Sequence, residues 1–180
     1  MREDLNVSLD IFSFGFESSQ GRVYVRLDKV ENKYGSPTLD DIEAFSRKYN
    51  AVLEEELGQE VSDDIEVEVS SPGAERALRV PEDLVRFSDL PIRVEAPKTA
   101  VNFDGIEVKK SKNDLHSTIR LVATVAEVNL ETGKVELAPF KSKRNEEAFG
   151  RKTWNKIFKS KQTLVLALDD LVGANLHLEI

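Results

Sequence analysis

The chain has 180 residues, of which 40% are hydrophobic and 32% are charged, and its net charge at pH 7 is −8. This balance allows a buried core and argues against wholesale disorder. The absence of cysteine excludes disulfides, thiolate catalysis and cysteine-ligated zinc. No apolar run approaches the roughly 20 residues that a membrane helix needs, so we expect neither a membrane protein nor a secreted one.

Charge is distributed unevenly along the chain. Residues 1–70 carry 7 basic and 17 acidic side chains, whereas residues 141–161 carry 8 basic and 2 acidic ones. The net charge argues against a protein that simply coats nucleic acid, because such a protein needs a positive surface throughout. The segment 141–161 is therefore the predicted electropositive face.

The first 71 residues follow the pattern of a small α+β module. Two early runs alternate apolar and polar residues, and the first run changes phase near Phe12, which predicts a bulged strand and then the second strand of a hairpin. Thr38 is placed to cap a helix with Asp41 at the capping-box position, and apolar residues follow at three- and four-residue spacing. Alternation over 65–69 predicts one more strand. The expected order is β-β-α-β, similar to an α/β sandwich.

The second part of the chain has a different pattern. Ser71-Pro72-Gly73-Ala74 fits a type II turn, and Pro81 opens a short helix. The sequence changes character at 89–91, so we place the boundary between an N-terminal domain (1–88) and a C-terminal domain (89–180) there. Short strands predict a small closed β-barrel with a basic insertion at 141–161. The expected strands lie at 92–94, 119–128, 134–138, 163–168 and 174–180, with a hairpin at 104–105.

No residue pattern points to catalysis or to a cofactor. His116 and His177 are far apart in the sequence and have no cysteine to complete a metal set, so we expect no metal site. There is no glycine-rich phosphate loop and no serine in a nucleophile elbow. We expect a protein that is not an enzyme and that uses no small-molecule substrate.

The basic insertion is the strongest candidate for a nucleic-acid contact. Its cations are interleaved with aromatic residues, a composition able to meet phosphates and stack on unpaired bases. The candidate RNA-binding residues are Lys143, Arg144, Arg151, Lys152, Trp154, Lys156 and Lys159. The alternative is that a helix over 150–160 packs Trp154, Ile157 and Phe158 on the barrel and leaves the lysines in water.

One segment carries a specific family resemblance. The run from Glu68 to Arg76, with Val-Ser-Ser-Pro-Gly-Ala-Glu-Arg at its end, resembles the signature of the ribosome maturation factor RimP family. The helix start at 38–41 and the segment 168–176 are similar to two further motifs of that family, in the same order. The resemblance implies an N-terminal α+β domain and a C-terminal SH3-like, or Sm-like, barrel.

The resemblance also implies a function and a partner. Members of the family bind the immature small ribosomal subunit and assist its maturation, in part through the ribosomal protein at the decoding centre and in part through ribosomal RNA. We therefore expect a monomeric assembly factor with no catalytic step. The expected partner-binding residues are Ser70, Ser71, Pro72, Gly73, Glu75 and Arg76.

Three features depart from the family pattern. The family's first helix, expected before Leu5, is missing, Ala74 and Ala77 stand where bacterial members usually carry leucine and proline, and the basic insertion has no counterpart in the short bacterial proteins. The form Ser-Pro-Gly-Ala-Glu-Arg is most similar to plant homologues. We therefore expect the chloroplast stroma as the location, with a bacterial-type cytoplasm as the alternative.

Three alternatives remain open from the sequence. One is an enzyme whose active site is assembled from residues distant in sequence, although only the length of the chain allows for it. The chain could be a general RNA-binding or translational regulator, because Sm-like barrels serve many partners. For the signature, the alternative is that Pro72-Gly73 only reverses the chain while Arg76 pairs with a nearby carboxylate.

Overall fold

The computed structural model describes residues 9–103 and 117–178. The chain divides into two compact units, residues 1–73 and residues 74–180. Both contain helices and strands, so the predicted α+β class is confirmed. No helix in the described ranges combines the length and the apolar character that crossing a membrane requires.

The first unit is a three-stranded sheet with one long helix. Its sheet has the order β1-β2-β3, with β1 antiparallel to β2 and β2 parallel to β3. The pairing of β1 with β2 shifts between Ile11 and Ser13, so the predicted bulge is at Phe12. The elements are β1 (Leu9–Glu17), β2 (Arg22–Lys29), α1 (Leu39–Leu57), α2 (Gln59–Ser62) and β3 (Glu66–Ser70).

Helix α1 begins where its capping residues predict. The Thr38 hydroxyl accepts a hydrogen bond from the Asp41 backbone N–H, and the Asp41 carboxylate accepts one from the Thr38 backbone N–H. This reciprocal pair satisfies backbone donors that a helix start otherwise leaves free. The helix buries Phe45 against the apolar face of β2, and the core of this unit consists of Val23, Val25, Leu27 and Phe45.

The second unit is built on an antiparallel five-stranded sheet with the order β7-β6-β5-β4-β8. Its large core lies between the sheet and the helices, and includes Phe87, Ile92, Leu121 and Trp154. The elements are α3 (Glu82–Arg86), β4 (Ile92–Pro97), β5 (Thr118–Asn129), β6 (Lys134–Pro139), α4 (Lys143–Phe149), α5 (Arg151–Ser160), β7 (Leu164–Ala167) and β8 (Gly173–Leu176). A short 3₁₀ helix, Leu168–Asp170, separates β7 from β8.

The predicted closed barrel is not found in the described part of the chain. Strands β7 and β8 lie at opposite ends of the sheet order. One edge of β8 pairs with β4, and the other is occupied by the segment around Ala77, which forms a bridge with Asn175. A closed barrel would need β8 to pair with β7. Both edges of β8 are already occupied, so this pairing does not form. The hairpin predicted at 104–105 lies outside the described residues.

The change from one unit to the next falls between Gly73 and Ala74 rather than near residue 88. The apolar residues of the intervening segment explain the position. Leu84 and Phe87 are fully buried in the same core as Ile92. The short helix α3 therefore belongs to the second unit, although the composition changes only after it.

Candidate functional site

The signature corner lies at the end of β3 in the first unit. Ser70 is the last residue of that strand and pairs with Arg26 of β2. Gly73 has a φ of 84°, as the predicted type II turn requires at this position. No heavy atom lies within 4 Å of a Cβ placed on Gly73. Ser70, Ser71 and Pro72 are half-buried and Gly73 is exposed, so the corner is at the surface of its unit.

Arg76, the last residue of the signature, is buried in the second unit. Its side chain is 1% exposed, and its guanidinium lies 3.8 Å from the Asp83 carboxylate and 5.3 Å from the centre of the Phe87 ring. Asp83 also accepts a hydrogen bond of 2.9 Å from the Arg79 backbone N–H. A buried cation is stable only with such partners. The expectation that Arg76 contacts a partner is therefore corrected: Arg76 instead holds the start of α3, as the alternative reading proposed.

The segment that follows the signature is paired with the family-like segment at the end of the chain. The Leu78 backbone N–H donates to the Ala174 carbonyl at 2.8 Å, and the Leu176 N–H donates to the Arg76 carbonyl at 3.0 Å. The Asn175 side chain adds a contact of 3.3 Å to the Glu75 carbonyl. Two motifs that are about a hundred residues apart in sequence thus form one structural element.

Glu75 is the exposed member of this element. Its carboxylate lies 3.7 Å from the Arg93 guanidinium, on the solvent side of β4. Sequence reasoning missed Asp83, Arg93 and Asn175, which position the signature. The only local signal was at Asp83, which lies in the first turn of a helix shortly after the signature arginine.

The exposed face of β4 and β5 carries a polar cluster next to Glu75. Hydrogen bonds from the Thr118 hydroxyl and from Arg120, at 2.6 and 2.7 Å, lower the pKa of Glu95 below its ordinary value. A depression of about 210 Å³ lies here, lined by Arg93, Glu95, Arg120, Gly173 and Asn175. Arg93 and Arg120 each face a carboxylate, so their charge is largely balanced within the cluster.

The basic insertion folds into the two helices α4 and α5, and Trp154 is at its centre. The Trp154 side chain is fully buried, with the Phe149 ring stacked at 5.1 Å and the Phe103 ring at 6.1 Å. Its indole N–H donates to the Phe140 carbonyl at 3.2 Å. The prediction that Trp154 stacks on RNA bases is therefore corrected, because no face of the ring reaches solvent. The amphipathic alternative is the observed arrangement for Trp154 and Ile157, while Phe158 is 40% exposed.

Asn145 attaches α4 to the sheet. Its side-chain amide accepts a hydrogen bond from the Val122 N–H at 2.8 Å and donates to the Val122 and Phe140 carbonyls at 2.7 and 2.9 Å. Strand β6 ends at Pro139, opposite Ala123, so the backbone of Val122 has no ladder partner on that side. The buried amide of Asn145 takes the place of that partner. No feature of the sequence pattern singled out this residue.

The cations of the insertion all remain exposed. We call them the basic face; it consists of Lys141, Lys143, Arg144, Arg151, Lys152, Lys156, Lys159 and Lys161. Arg151 lies 3.5 Å from the Glu146 carboxylate. Lys152, Lys156 and Lys159 follow one another at helical spacing on the side of α5 opposite the buried Trp154 and Ile157. The predicted RNA-binding cations are therefore all exposed, whereas Trp154 is buried.

The described residues hold no arrangement of three or more His, Asp or Glu side chains suited to a metal ion. His177 is buried beside β4, where its backbone N–H donates to the Pro91 carbonyl. His116 lies outside the described residues. The described residues thus present three surface features that a partner could contact: the corner at Gly73, the exposed Glu75 beside a polar cluster, and the exposed cations of the insertion.

Comparison with known proteins places the first unit in a family. Residues 3–75 match the model of the RimP N-terminal domain. Three bacterial proteins named ribosome maturation factor RimP are similar. That of Leptospira biflexa is 38% identical over 99 residues, covering 53% of this chain and 59% of that protein. That of Leptospira interrogans is 46% identical over 74 residues (40% and 43%), and that of Rippkaea orientalis is 31% identical over 86 residues (48% and 54%). The matches span less than two thirds of these relatives.

The chain thus has a first unit that is similar to the RimP N-terminal domain, followed by a mainly β unit that carries a basic helical insertion. The signature run, the match of residues 3–75 and the similar proteins all indicate the same resemblance. Over residues 3–75 the chain is therefore similar to the N-terminal domain of the ribosome maturation factor RimP family.

Proposed function

We propose that the chain is a ribosome assembly factor that binds the immature small ribosomal subunit and assists its maturation without catalysing a reaction. The observation that carries this proposal is the match of residues 3–75 to the RimP N-terminal domain, together with relatives that bear the name ribosome maturation factor. The exposed signature corner and the basic face support it, because one offers a shaped surface to a protein and the other offers charge to RNA.

The burial of Arg76 changes the roles within the proposed partner-binding segment. Ser70, Ser71, Pro72, Gly73 and Glu75 supply the contacts at the surface. Arg76 acts indirectly, since its pairing with Asp83 fixes the backbone next to Glu75. The proposed partners are the ribosomal protein at the decoding centre, for the corner, and ribosomal RNA, for the basic face.

Co-sedimentation of the full chain with purified small subunits tests the function. We expect the wild-type chain to pellet with immature subunits much more than with mature ones, and to be partly released as salt rises. Ser71→Glu should reduce pelleting, whereas the matched Ser19→Glu, at an exposed turn of the same unit, should not. Thermal melts of both variants check that they fold. Equal pelleting with mature and immature subunits, or no pelleting, would contradict the proposal.

A general RNA-binding regulator is the second candidate, since the exposed cations favour binding that does not depend on sequence. Cross-linking in cells separates the two. Precursor RNA of the small subunit among the cross-linked fragments supports the assembly factor, and fragments from many messengers support the regulator.

The finer assignments are proposals from the family resemblance. They are an SH3-like fold for the second unit, a monomeric state and a location in the chloroplast stroma. Sedimentation equilibrium checks the monomer, and imaging of a fluorescent fusion of the native gene product in its own cells checks the location. A signal in the cytoplasm would exclude the chloroplast.

A further inference from the structure

We infer that the basic face binds the phosphate backbone of double-stranded RNA, and that it does so without reading the base sequence. This inference deepens the proposed function, on which it rests for the identity of the RNA, by naming the kind of RNA that the insertion recognises. It is supported by the arrangement of charge, the burial of the aromatic rings and the packing of α5 on the core of its unit.

The first step is charge complementarity. All eight cations of the basic face are exposed, while the segment that contains them has only two acidic residues and the whole chain has a net charge of −8. A short segment rich in exposed cations, in an otherwise acidic protein, suits a polyanion, because each phosphate contact releases a condensed counterion. The same charges would repel a basic protein surface.

The second step is the absence of rings for stacking. Proteins that hold single strands stack successive bases on several exposed aromatic side chains. Here Trp154 is fully buried and Phe149 packs against it. Phe158, at 40% exposure, is the aromatic residue of the insertion that reaches solvent most. One half-exposed ring does not form a platform for successive bases, so this surface favours RNA whose bases are already paired.

The third step is the geometry of the cations. Lys152, Lys156 and Lys159 lie along one side of α5, and the helical rise separates them by about 6 and 4.5 Å. Trp154 and Ile157 hold the opposite side of the helix in the core, and Asn145 attaches the preceding helix to β5. A row of lysines along a helix that is packed on the core suits the regularly spaced phosphates of a duplex. Side chains cannot read bases through the deep, narrow major groove of A-form RNA, so we expect shape and charge alone to be recognised.

Fluorescence anisotropy with labelled RNA tests this inference. The probes are two duplexes of unrelated sequence and an unstructured oligouridine of the same length as one strand. We expect the full chain to bind both duplexes equally and the single strand more weakly. The triple variant Lys152→Gln, Lys156→Gln, Lys159→Gln should lose roughly a hundredfold in duplex affinity at low salt, and the slope of log K against log salt should become shallower by roughly 2 to 3.

Two matched controls sharpen the test. The triple variant Lys33→Gln, Lys48→Gln, Lys134→Gln changes the net charge equally at positions outside the insertion and should keep most of the affinity. Phe158→Ala should leave duplex binding unchanged. Tighter binding to oligouridine, a larger loss from Phe158→Ala than from the α5 triple variant, or equal losses in the two triple variants would each overturn the inference.

The RNA-binding test of this inference and the co-sedimentation test of the proposed function can fail independently of each other. If the α5 triple variant loses duplex binding while the wild-type chain fails to pellet with immature subunits, the inference stands and the assembly role fails. If the wild-type chain pellets with immature subunits but binds neither duplex, the assembly role stands and the inference fails.

Discussion

Arg76 and the lysines of α5 are cations of the same structural unit, but the fold places them in opposite environments. Arg76 is buried against Asp83 and Phe87, whereas Lys152, Lys156 and Lys159 are exposed along a helix. A buried charge must be balanced within the protein, so its contribution is to stability. An exposed charge remains available to a partner. The difference shows that resemblance to a family motif and exposure to a partner are separate properties of a residue.

The same contrast exists within α5 itself. Trp154 and Lys156 are two residues apart, and one is fully buried while the other is in solvent. The buried residue holds the helix in place, and the exposed one carries charge. Substitutions in α5 should therefore separate loss of stability from loss of binding.

Replacing the buried ring should have the largest effect. Trp154→Ala removes the side chain that packs against Phe149 and Phe103 and leaves a cavity, so we expect a loss of about 3–5 kcal/mol in the free energy of unfolding. Denaturant unfolding measures it. Phe158→Ala, in the same helix, should cost less than about 1 kcal/mol. Similar losses for the two variants would contradict the assignment of Trp154 to the core.

Removing the partner of Arg76 should have the next largest effect. Asp83→Ala leaves the buried guanidinium without its carboxylate, and we expect a loss of about 3 kcal/mol in unfolding free energy. Glu82→Ala, at an exposed neighbouring position, should cost only about 0.3–1 kcal/mol. The double variant Arg76→Met, Asp83→Leu should recover part of the loss. If Asp83→Ala weakens subunit binding without changing stability, Arg76 has a direct binding role after all.

Asn145 tests how firmly the basic helices are attached. Asn145→Ala leaves the buried Val122 N–H and carbonyl without a partner, so we expect a loss of about 1–3 kcal/mol. Amide hydrogen exchange should also become faster at Val122. Glu147→Ala, on the exposed side of α4, serves as the control. Unchanged exchange at Val122 would show that Asn145 does not hold the strand.

Lys29 and Asp41 form an ion pair in the first unit that is more exposed to solvent than the pair of Arg76 and Asp83. The charged atoms of Lys29 and Asp41 are 2.8 Å apart and the two side chains are 23% and 16% exposed. Hydrogen bonds from Lys29 and then from Thr38 lower the pKa of Asp41 from 3.8 to about 2. Because the pKa is lower in the folded state, the stabilisation is present above about pH 4 and is lost as the pH falls through about 2.

We expect Asp41→Asn to lose about 1 kcal/mol of unfolding free energy at pH 7. The difference from the wild-type chain should shrink as the pH is lowered from about 4 to about 2. Thermal unfolding across this range measures it, with Asp40→Asn as the control. A difference that is independent of pH would mean that the ionised carboxylate is not what stabilises the helix start.

Sequence alone was sufficient for features that depend on neighbouring residues. The bulge at Phe12, the capped start of α1 at Thr38 and the corner at Gly73 follow from periodicity, capping chemistry and the conformational freedom of glycine. The amphipathic helix over 150–160 was recognised as an alternative for the same reason. The family resemblance was likewise local, since it rested on three short motifs, and the first two lie in or next to the matched residues 3–75.

Tertiary structure alone decided which side chains reach solvent and which segments meet. The bond network of Asn145 and the pairing of residues 76–78 with β8 join residues that no local pattern connects. The occupied edge of β8 likewise separates the observed sheet from the expected barrel. The physical reason is that burial depends on packing between distant segments, whereas periodicity and capping depend on a few adjacent residues.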